Sequence, residues 1–342
     1  MDGTEFDIVI VGSAPFARLL AGWLARDHGK RVALIGRQAS PQRLPRSLDM
    51  ALGTATRPET WKMLRSGAAE TQRRLAANGL ADALGHTDVA VSGDTAATAV
   101  ALDHLAHLAM GLGMAGRSEG QLHVFGSIAM LRPEAEPKLY AWLGTTGVTH
   151  IDSDAASLAF LRSGLAELTV SGEKLVAGQL VVADDGALLD SVPEAERPEQ
   201  LRVVPMTATL TAPVRRLAAP VIHFPDRGVT LLQRAGDGVL ALIAGDADVE
   251  ARLASVLPGP FPLKRLATSR FRRIVSRDGA PLIGRLKPSR LFIAAGLGDA
   301  AAFFAPAVAQ LLAGTPTDDE KRWFAARDPA RPSRELVAEI VP

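Results

Sequence analysis

The N-terminal segment constrains the fold more than any other part of the sequence. Residues 7–11 form an apolar run rich in β-branched side chains, as a strand buried on both faces requires. A short turn then leads into a segment whose apolar side chains recur at helical spacing as far as Asp27. Gly29 ends this helix, and residues 31–35 form a second apolar strand. The order predicts the strand–helix–strand unit of a parallel sheet, and therefore an α/β fold.

The turn of this unit resembles a dinucleotide-binding turn only in part. Such turns carry three glycines, and an acidic residue about 20 positions later binds the ribose. Here one glycine and two alanines stand at those positions. Gly36 and Arg37, which are also candidate binding residues, stand where the acid is expected, and Arg37 either contacts a phosphate or is solvated. A bound dinucleotide and an ordinary tight turn therefore both stay open from these residues alone. The candidate binding residues of the turn are Gly12, Ser13, Ala14, Pro15, Phe16 and Ala17.

Composition excludes several classes of site. The 342 residues carry a net charge of +1, whereas a nucleic-acid surface usually shows a clustered basic excess. The chain has no cysteine, so disulfides, thiolate zinc sites and iron–sulfur clusters are excluded. No apolar stretch approaches the roughly 18 residues of a membrane span, and the N-terminus does not follow a signal-peptide pattern. We expect a cytoplasmic protein that binds no nucleic acid and has no membrane span.

The rest of the chain alternates helices and strands. Helices are predicted over 59–78, with Trp61 as a core anchor, and over 95–111. A short strand is predicted over 179–183, and turns join antiparallel strands at 202–210, 229–232 and 239–244. A buried strand over 291–295 feeds a glycine-containing turn and an apolar helix over 300–313. The charged tail, residues 318–342, is predicted to pack on the surface.

The C-terminal motif carries a family resemblance. It runs Asp-Gly-Ala-Pro-Leu-Ile-Gly over 278–284, then Leu-Phe-Ile-Ala-Ala-Gly-Leu-Gly-Asp over 291–299, then a helix of small residues. This arrangement resembles the closing motif of the D-amino-acid oxidase, glycine oxidase and sarcosine oxidase superfamily of FAD-dependent oxidoreductases. The resemblance implies that the closing turn lies along the flavin and that Gly284 approaches the cofactor from the preceding loop. The turn residues so assigned are Gly296, Leu297, Gly298, Asp299 and Ala300.

Two further positions follow from the same resemblance. The strand that ends at Ala183 looks like the family's strand beneath the pyrophosphate. Arg273, five residues before Asp278, falls where amino-acid oxidases of the family keep an arginine that grips the substrate carboxylate. A guanidinium suits that task because it binds a carboxylate through two parallel hydrogen bonds.

The resemblance also implies the fold and its division. It predicts a Rossmann-like FAD-binding domain of the glutathione-reductase type, interleaved with a substrate domain built on an antiparallel sheet. The FAD-binding domain is expected to be discontinuous, with 1–55, 165–192 and 270–342. The substrate or cap domain is expected at 56–164 and 193–269. The implied activity is oxidation of a small amine or amino acid by hydride transfer to FAD.

Three departures from the family pattern keep an alternative open. Gly36 replaces the acidic residue, Asp184 and Asp185 replace small residues beside the pyrophosphate, and the middle of the chain is short. A non-catalytic member with weak or no FAD binding, acting as a partner subunit or binding protein, is therefore the second hypothesis. A nicotinamide-dependent dehydrogenase is a weaker third one, because the closing motif has no role in that class.

Three histidines bear on further sites. His104 and His107 share a helix face, but no third ligand accompanies them, so no metal site is predicted. His223 lies near a predicted strand end and is a candidate for facing the flavin.

Overall fold

A computed structural model of the chain describes most of residues 6–332. The exceptions within that span are 38–39, 41–42, 53–56, 112–115, 120–121, 161–165, 171–172, 246–247, 258–262, 288 and 290. In chain order the strands of the described residues are β1 (Phe6–Val11), β2 (Val32–Ile35), β3 (Leu84–Ser92), β4 (Gly116–Glu119), β5 (Leu122–Leu131), β6 (Thr149–Ile151), β7 (Ala156–Phe160), β8 (Ala166–Val170), β9 (Glu173–Val182), β10 (Leu201–Thr211), β11 (Val221–Phe224), β12 (Val229–Gln233), β13 (Val239–Ala244), β14 (Arg265–Ser276), β15 (Leu282–Arg285) and β16 (Phe292–Ala295). The α-helices are α1 (Pro15–His28), α2 (Pro58–Ala77), α3 (Ala96–Gly111), α4 (Glu136–Leu143), α5 (Asp185–Ser191), α6 (Val249–Ala254), α7 (Ala301–Ala313) and α8 (Asp318–Ala325).

The first sheet has a parallel centre with β1 in the middle. Its order is β15-β16-β9-β1-β2-β6, and the hairpin of β7 and β8 continues from β9. Strand β1 pairs in parallel with β2 on one side and with β9 on the other. All four residues of β2 are buried, and so are five of the six in β1, as expected for strands covered on both faces. The predicted α/β class and the parallel opening unit are confirmed.

Helices α1, α2 and α7 cover one face of this sheet. Gly29 adopts a left-handed conformation, with φ of 61°, and ends α1 as the sequence predicted. Helices α2 and α7 pack very closely, because a Cβ added to Gly67 would lie 1.9 Å from the carbonyl oxygen of Phe303. Trp23, Phe303 and Phe304 fill the space between these helices and the sheet. Burial of such large side chains supplies most of the driving force for this packing.

The second sheet is built mainly from antiparallel pairs. Its order is β14-β10-β13-β12-β11-β3-β5-β4, and only β11 and β3 pair in parallel among its described strands. The predicted antiparallel arrangement of β10, β12 and β13 is confirmed. Side chains of α3 pack on one face of this sheet, and those of α6 pack on the other.

Strand β14 connects the two halves of the molecule. It pairs with β10 along nearly its whole length and so belongs to the second sheet. Near its end, however, Ile274 is buried in the core of the first sheet, together with side chains of β1, β9 and β16. The last residues of β14 therefore lie at the junction of the two sheets.

Strands β6, β7 and β8 belong to the first sheet, although most of their residues come from the range assigned to the substrate domain. Strand β14 likewise crosses the expected boundary at residue 270. The division into domains stays a prediction.

The C-terminal tail differs from its prediction as a surface segment. Trp323 and Phe324 of α8 are buried, and the Trp323 ring stacks on Phe304 of α7 with centroids 5.1 Å apart. Arg327, which is 3% exposed, donates a hydrogen bond to the Thr60 hydroxyl of α2. The aromatic pair outweighs the charged composition of the tail, since burying each ring removes a large apolar area from water. The residues beyond 332 lie outside those described.

Candidate functional site

Two loops that are far apart in sequence meet around one space. The β1–α1 corner (residues 12–17) and the β16–α7 corner (residues 296–300) both contribute to the lining of an inner cavity of about 160 Å³, through residues 13–16 and through Leu297 and Gly298. An outer cleft of about 890 Å³ adjoins it and reaches the end of β2. The two spaces share lining residues, Asp184 and Arg46 among them. Clefts of this kind, at the carboxyl ends of parallel strands, are where α/β proteins bind ligands.

The glycines of the β1–α1 corner are required by the packing of the chain itself. A Cβ on Gly12 would lie 2.9 Å from the Ala17 Cβ, and a Cβ on Gly36 would lie 2.3 Å from the Gly12 carbonyl oxygen. The Ser13 hydroxyl accepts a hydrogen bond of 2.9 Å from the backbone N–H of Arg37. The end of β2 is therefore closed against the corner. This contact explains why no acidic side chain stands at Gly36.

The start of α1 offers hydrogen-bond donors to this space. Pro15 has no N–H, and the N–H groups of Phe16 and Ala17 have no acceptor within the helix. The first turn of α1, which is described in full, carries no acidic side chain. Ser13 through Phe16 line the inner cavity. The positive end of the helix dipole therefore faces the cavity and favours an anion there.

Asp184 contacts this corner directly. Its Oδ2 accepts a hydrogen bond of 2.5 Å from the backbone N–H of Ser13, across 171 positions of sequence. Its Oδ1 accepts a second bond of 2.6 Å from the N–H of Ala187 and so caps α5. A carboxylate beside a pyrophosphate is unfavourable unless it points away, because the two groups carry like charges. The side chain points towards the corner.

Asp185 joins α5 to the other side of the cavity. Its carboxylate accepts a bond of 2.9 Å from the N–H of Ile274 in β14 and a longer one, 3.5 Å, from the N–H of Gly296. Desolvation by the surrounding protein raises the pKa of Asp185 to about 6. The two adjacent aspartates therefore bond to both corners of the site.

The β16–α7 corner is tied to the loop before α2. Gly296 has φ of 66°, which favours glycine, and a Cβ there would be in van der Waals contact, at 3.8 Å, with the backbone nitrogen of Ser276 in β14. The Asp299 carboxylate accepts bonds from the N–H of Leu48 and from the Arg273 guanidinium. The buried Asp49 carboxylate accepts a bond of 3.1 Å from the N–H of Ala302. Burial raises the pKa of Asp49 to about 6.

Arg273 lies in the inner cavity, where the sequence expected a substrate-binding arginine. It is 6% exposed, and its Nη2 donates to Asp299 Oδ1 at 3.0 Å and to the Arg46 carbonyl oxygen at 2.8 Å. These bonds fix the guanidinium within the site. Its role towards a substrate carboxylate stays a prediction.

The remaining predicted residues occupy different places. Ala183, Leu297 and Gly298 line the inner cavity, and Gly36 and Arg37 line the outer cleft. Ala17 and Ala300 are buried beneath the two corners. Gly284 faces the C-terminal segment instead, because a Cβ there would lie 2.8 Å from Cδ of Pro329. It is not among the lining residues of either space.

Five arginines that line the two spaces were not predicted, and two of them, Arg270 and Arg272, belong to β14. Arg43, Arg46 and Arg132 all line the inner cavity, and the first two also line the outer cleft. Arg43 and Arg46 flank Pro45 in the loop after β2, and two arginines in such a proline-containing loop were the available signal. Together these side chains give the cleft cationic groups that could face an anionic ligand.

His223 lies near the same cluster of charges. Its Nδ1 is 2.8 Å from the Thr230 hydroxyl, and desolvation lowers the pKa of His223 to about 4. The ring is therefore neutral at neutral pH. Its expected role beside a flavin stays a prediction.

The described part of the chain shows neither a membrane-spanning helix nor a cluster of metal-binding side chains. No helix there is long and apolar enough to cross a bilayer. Nor do those residues include three His, Cys, Asp or Glu side chains grouped to hold a metal ion.

No protein-family model and no curated protein sequence matches this chain. Solved structures do match. The L-proline dehydrogenase from P. horikoshii has a TM-score of 0.76 at 16% identity, covering 98% of this chain and 100% of its own. The glycine oxidase from Geobacillus kaustophilus has a TM-score of 0.72 at 16% identity, and the match covers 97% of this chain and 100% of the oxidase. The L-amino acid deaminase from Proteus vulgaris has a TM-score of 0.71 at 15% identity, and the match covers 95% of this chain and 94% of the deaminase. The chain therefore has the fold of the D-amino-acid oxidase-like FAD-dependent oxidoreductases.

Proposed function

We propose that this chain is an FAD-dependent oxidoreductase that oxidises a small amine or amino acid. The observation that carries the proposal is the meeting of the two corners on one arginine-bearing cleft. The similar structures are a proline dehydrogenase, a glycine oxidase and an amino acid deaminase, and they support a small amino acid or amine as the substrate class. A shared fold alone does not fix an activity, so the cleft has to support the proposal.

The residues of the cleft fit FAD in most respects. The N–H groups of Phe16 and Ala17 suit a pyrophosphate, and Arg43 and Arg46 can neutralise its charge. At the other corner, Leu297 and Gly298 line the inner cavity, so a planar ring bound there would lie beside this turn. One feature opposes the fit, which is the Asp184 carboxylate on the N–H of Ser13.

When bound, FAD would supply the acceptor for a hydride from the substrate carbon next to nitrogen, leaving an imine and a released proton. The protein groups bind and orient the substrate beside it. Arg273 is the proposed contact for a substrate carboxylate, and its bond to Asp299 holds the guanidinium in one orientation. His223, neutral and bonded to Thr230, lies near Arg273 and Asp299 and is a proposed candidate for facing the flavin.

A second candidate is a binding protein of the same fold without a working cofactor. The bond from Ser13 to Asp184 favours it, since a fixed carboxylate already satisfies a donor of the phosphate-binding corner. A partner subunit is one form that such a protein takes. Gly36 favours it too, because the ribose-binding acid is missing.

Absorption spectroscopy separates the two candidates. The full chain is incubated with FAD, passed through a desalting column and mixed anaerobically with proline, glycine and other small amino acids. The oxidoreductase should retain the flavin bands and lose them on reaction with at least one amine. A chain that stays colourless after reconstitution, or retains FAD that no amine of the panel reduces, would favour the second candidate.

A further inference from the structure

We infer that Asp184 is an intrachain competitor for the cofactor pyrophosphate. Its carboxylate occupies the anion position at the β1–α1 corner, so FAD binds tightly only after that side chain moves away. The inference rests on the proposed function in taking the cleft as the FAD site. It adds a feature that sets how strongly the cofactor is held.

The position of the carboxylate carries the inference. Oδ2 of Asp184 accepts the N–H of Ser13 at 2.5 Å and lies 3.2 Å from where a Cβ on Gly12 would be. It therefore lies directly against the turn that precedes α1. A phosphate drawn to the free N–H groups of that helix start would meet a like charge at short range. Either the carboxylate or the phosphate occupies the corner.

The chain holds Asp184 in this position from its other end. Oδ1 caps α5 through the N–H of Ala187, and moving the side chain would break that cap. The next residue, Asp185, is bonded to Ile274 of β14, which limits any shift of the whole turn. Cofactor binding must therefore overcome two local hydrogen bonds as well as charge repulsion.

Arg46 is the cation next to this carboxylate. A Cβ on Gly186 would lie 3.5 Å from Asp184 Oδ1 and 3.7 Å from Arg46 Nη1, so both groups flank the same glycine. The guanidinium can attract either the carboxylate or an incoming phosphate. With Asp184 shortened, Arg46 would face the phosphate alone.

The test compares two variants that change the same residue type. In Asp184→Ser, the hydroxyl can still cap α5 but is too short to reach Ser13 and carries no charge. Asp248→Ser is the matched control, because Asp248 also caps a short helix, by a bond to the N–H of Glu250, and is not a lining residue of the cleft. Calorimetry measures the Kd of the full-length proteins for FAD, for ADP and for riboflavin, which has no phosphate.

We expect Asp184→Ser to bind FAD and ADP about tenfold more tightly or better, while its affinity for riboflavin changes less than about twofold. Asp248→Ser should bind all three ligands as the wild type does. Equal or weaker FAD binding by a folded Asp184→Ser variant would overturn the inference. So would a riboflavin gain as large as that for FAD.

A second variant covers a failure to fold, and two outcomes distinguish the inference from the proposed function. If Asp184→Ser fails to fold, Asp184→Asn keeps the cap oxygen and removes the charge, and it should also bind FAD more tightly than the wild type. If both wild type and variant bind FAD in the expected order but no amine bleaches it, the inference stands and the proposed activity fails. If neither binds FAD, both fail.

Discussion

Two carboxyl groups beside the cleft, Asp49 and Asp185, have pKa values raised to about 6. Desolvation is the main cause in both, and it outweighs the backbone hydrogen bonds that favour the charged form. An acid whose pKa is higher in the folded state stabilises the fold when protonated. That stabilisation is complete below the unfolded value near 3.8 and is lost as pH rises through about 6.

A neutral isostere at one of these positions should therefore stabilise the protein only at higher pH. Asp185→Asn should raise the free energy of unfolding by on the order of 2 kcal/mol at about pH 7.5, and leave it nearly unchanged at about pH 4. Urea denaturation at the two pH values measures this. Asp190→Asn, at an exposed position of α5, should change neither value. A gain of equal size at both pH values would contradict the assigned cause.

The close contact between Gly36 and Gly12 leads to a prediction about stability. Gly36→Ala should destabilise the chain by about 2 kcal/mol, because its Cβ would overlap the Gly12 carbonyl oxygen. Gly111→Ala is the comparison, since nothing lies within 4 Å of its Cβ position, and it should be neutral or slightly stabilising. Thermal unfolding of both variants decides this. If Gly36→Ala is as stable as Gly111→Ala, the close packing of β2 on the corner is wrong.

For single residues, the sequence predicted which positions depart from the family pattern but not what their side chains contact. Gly36, Asp184 and Asp185 stand out by residue type alone. The bond between Asp184 and Ser13 spans 171 positions, and no local pattern encodes such a pairing. The arginines at 43 and 46 were missed for the same reason, because a loop has no periodicity that would direct its side chains.

Among elements, those with a strong apolar period were predicted within one or two residues. Helix α2 runs over Pro58–Ala77 where 59–78 was expected, and β16 over Phe292–Ala295 where 291–295 was expected. Helix α8 was missed because it is short and mostly charged. Its two buried aromatic residues dock on α7, and that tertiary contact outweighs the local composition.

The docking of α8 predicts a graded loss of stability. Trp323→Ala removes the stack on Phe304 and should cost about 3–5 kcal/mol. Trp323→Phe keeps a ring there but loses the bond from the indole N–H to Thr60, and should cost about 1 kcal/mol for that bond. Lys321→Ala, on the exposed face of the same helix, should cost less than about 0.5 kcal/mol. Chemical denaturation measures the free energy of unfolding of the three variants. If Trp323→Ala loses no more of it than Lys321→Ala does, α8 does not anchor the fold.

For the whole molecule, the fold class was predictable because both ends of the chain carry glycine-containing strand-to-helix motifs. The described middle of the chain was less predictable, since β3 and β5 form a long pair in the second sheet without any such motif. The cleft arises from the approach of both sheets, so its shape depends on contacts between distant segments. The sequence therefore indicated a class of ligand, but it did not show which side chains occupy part of the cleft.

If the cleft is the FAD site, ligand binding should stabilise the whole chain. FAD at about 100 times its Kd adds about 2.7 kcal/mol to the free energy of unfolding. For a chain of this length that corresponds to a rise in Tm of a few °C. Differential scanning fluorimetry read on tryptophan, with riboflavin for comparison, measures the rise. An unchanged Tm at saturating FAD would favour the cofactor-free binding protein.

Hydrogen exchange at one residue of β14 should report whether the cleft holds a ligand. The N–H of Ile274 is bonded to Asp185, yet the same residue is buried in the first sheet while its strand is paired in the second. A ligand that moves the turn before α5 far enough to break this bond would leave the Ile274 N–H without its acceptor, inside an otherwise protected strand. Deuterium uptake at that single amide would then rise on filling the cleft, the reverse of the protection that ligands usually confer.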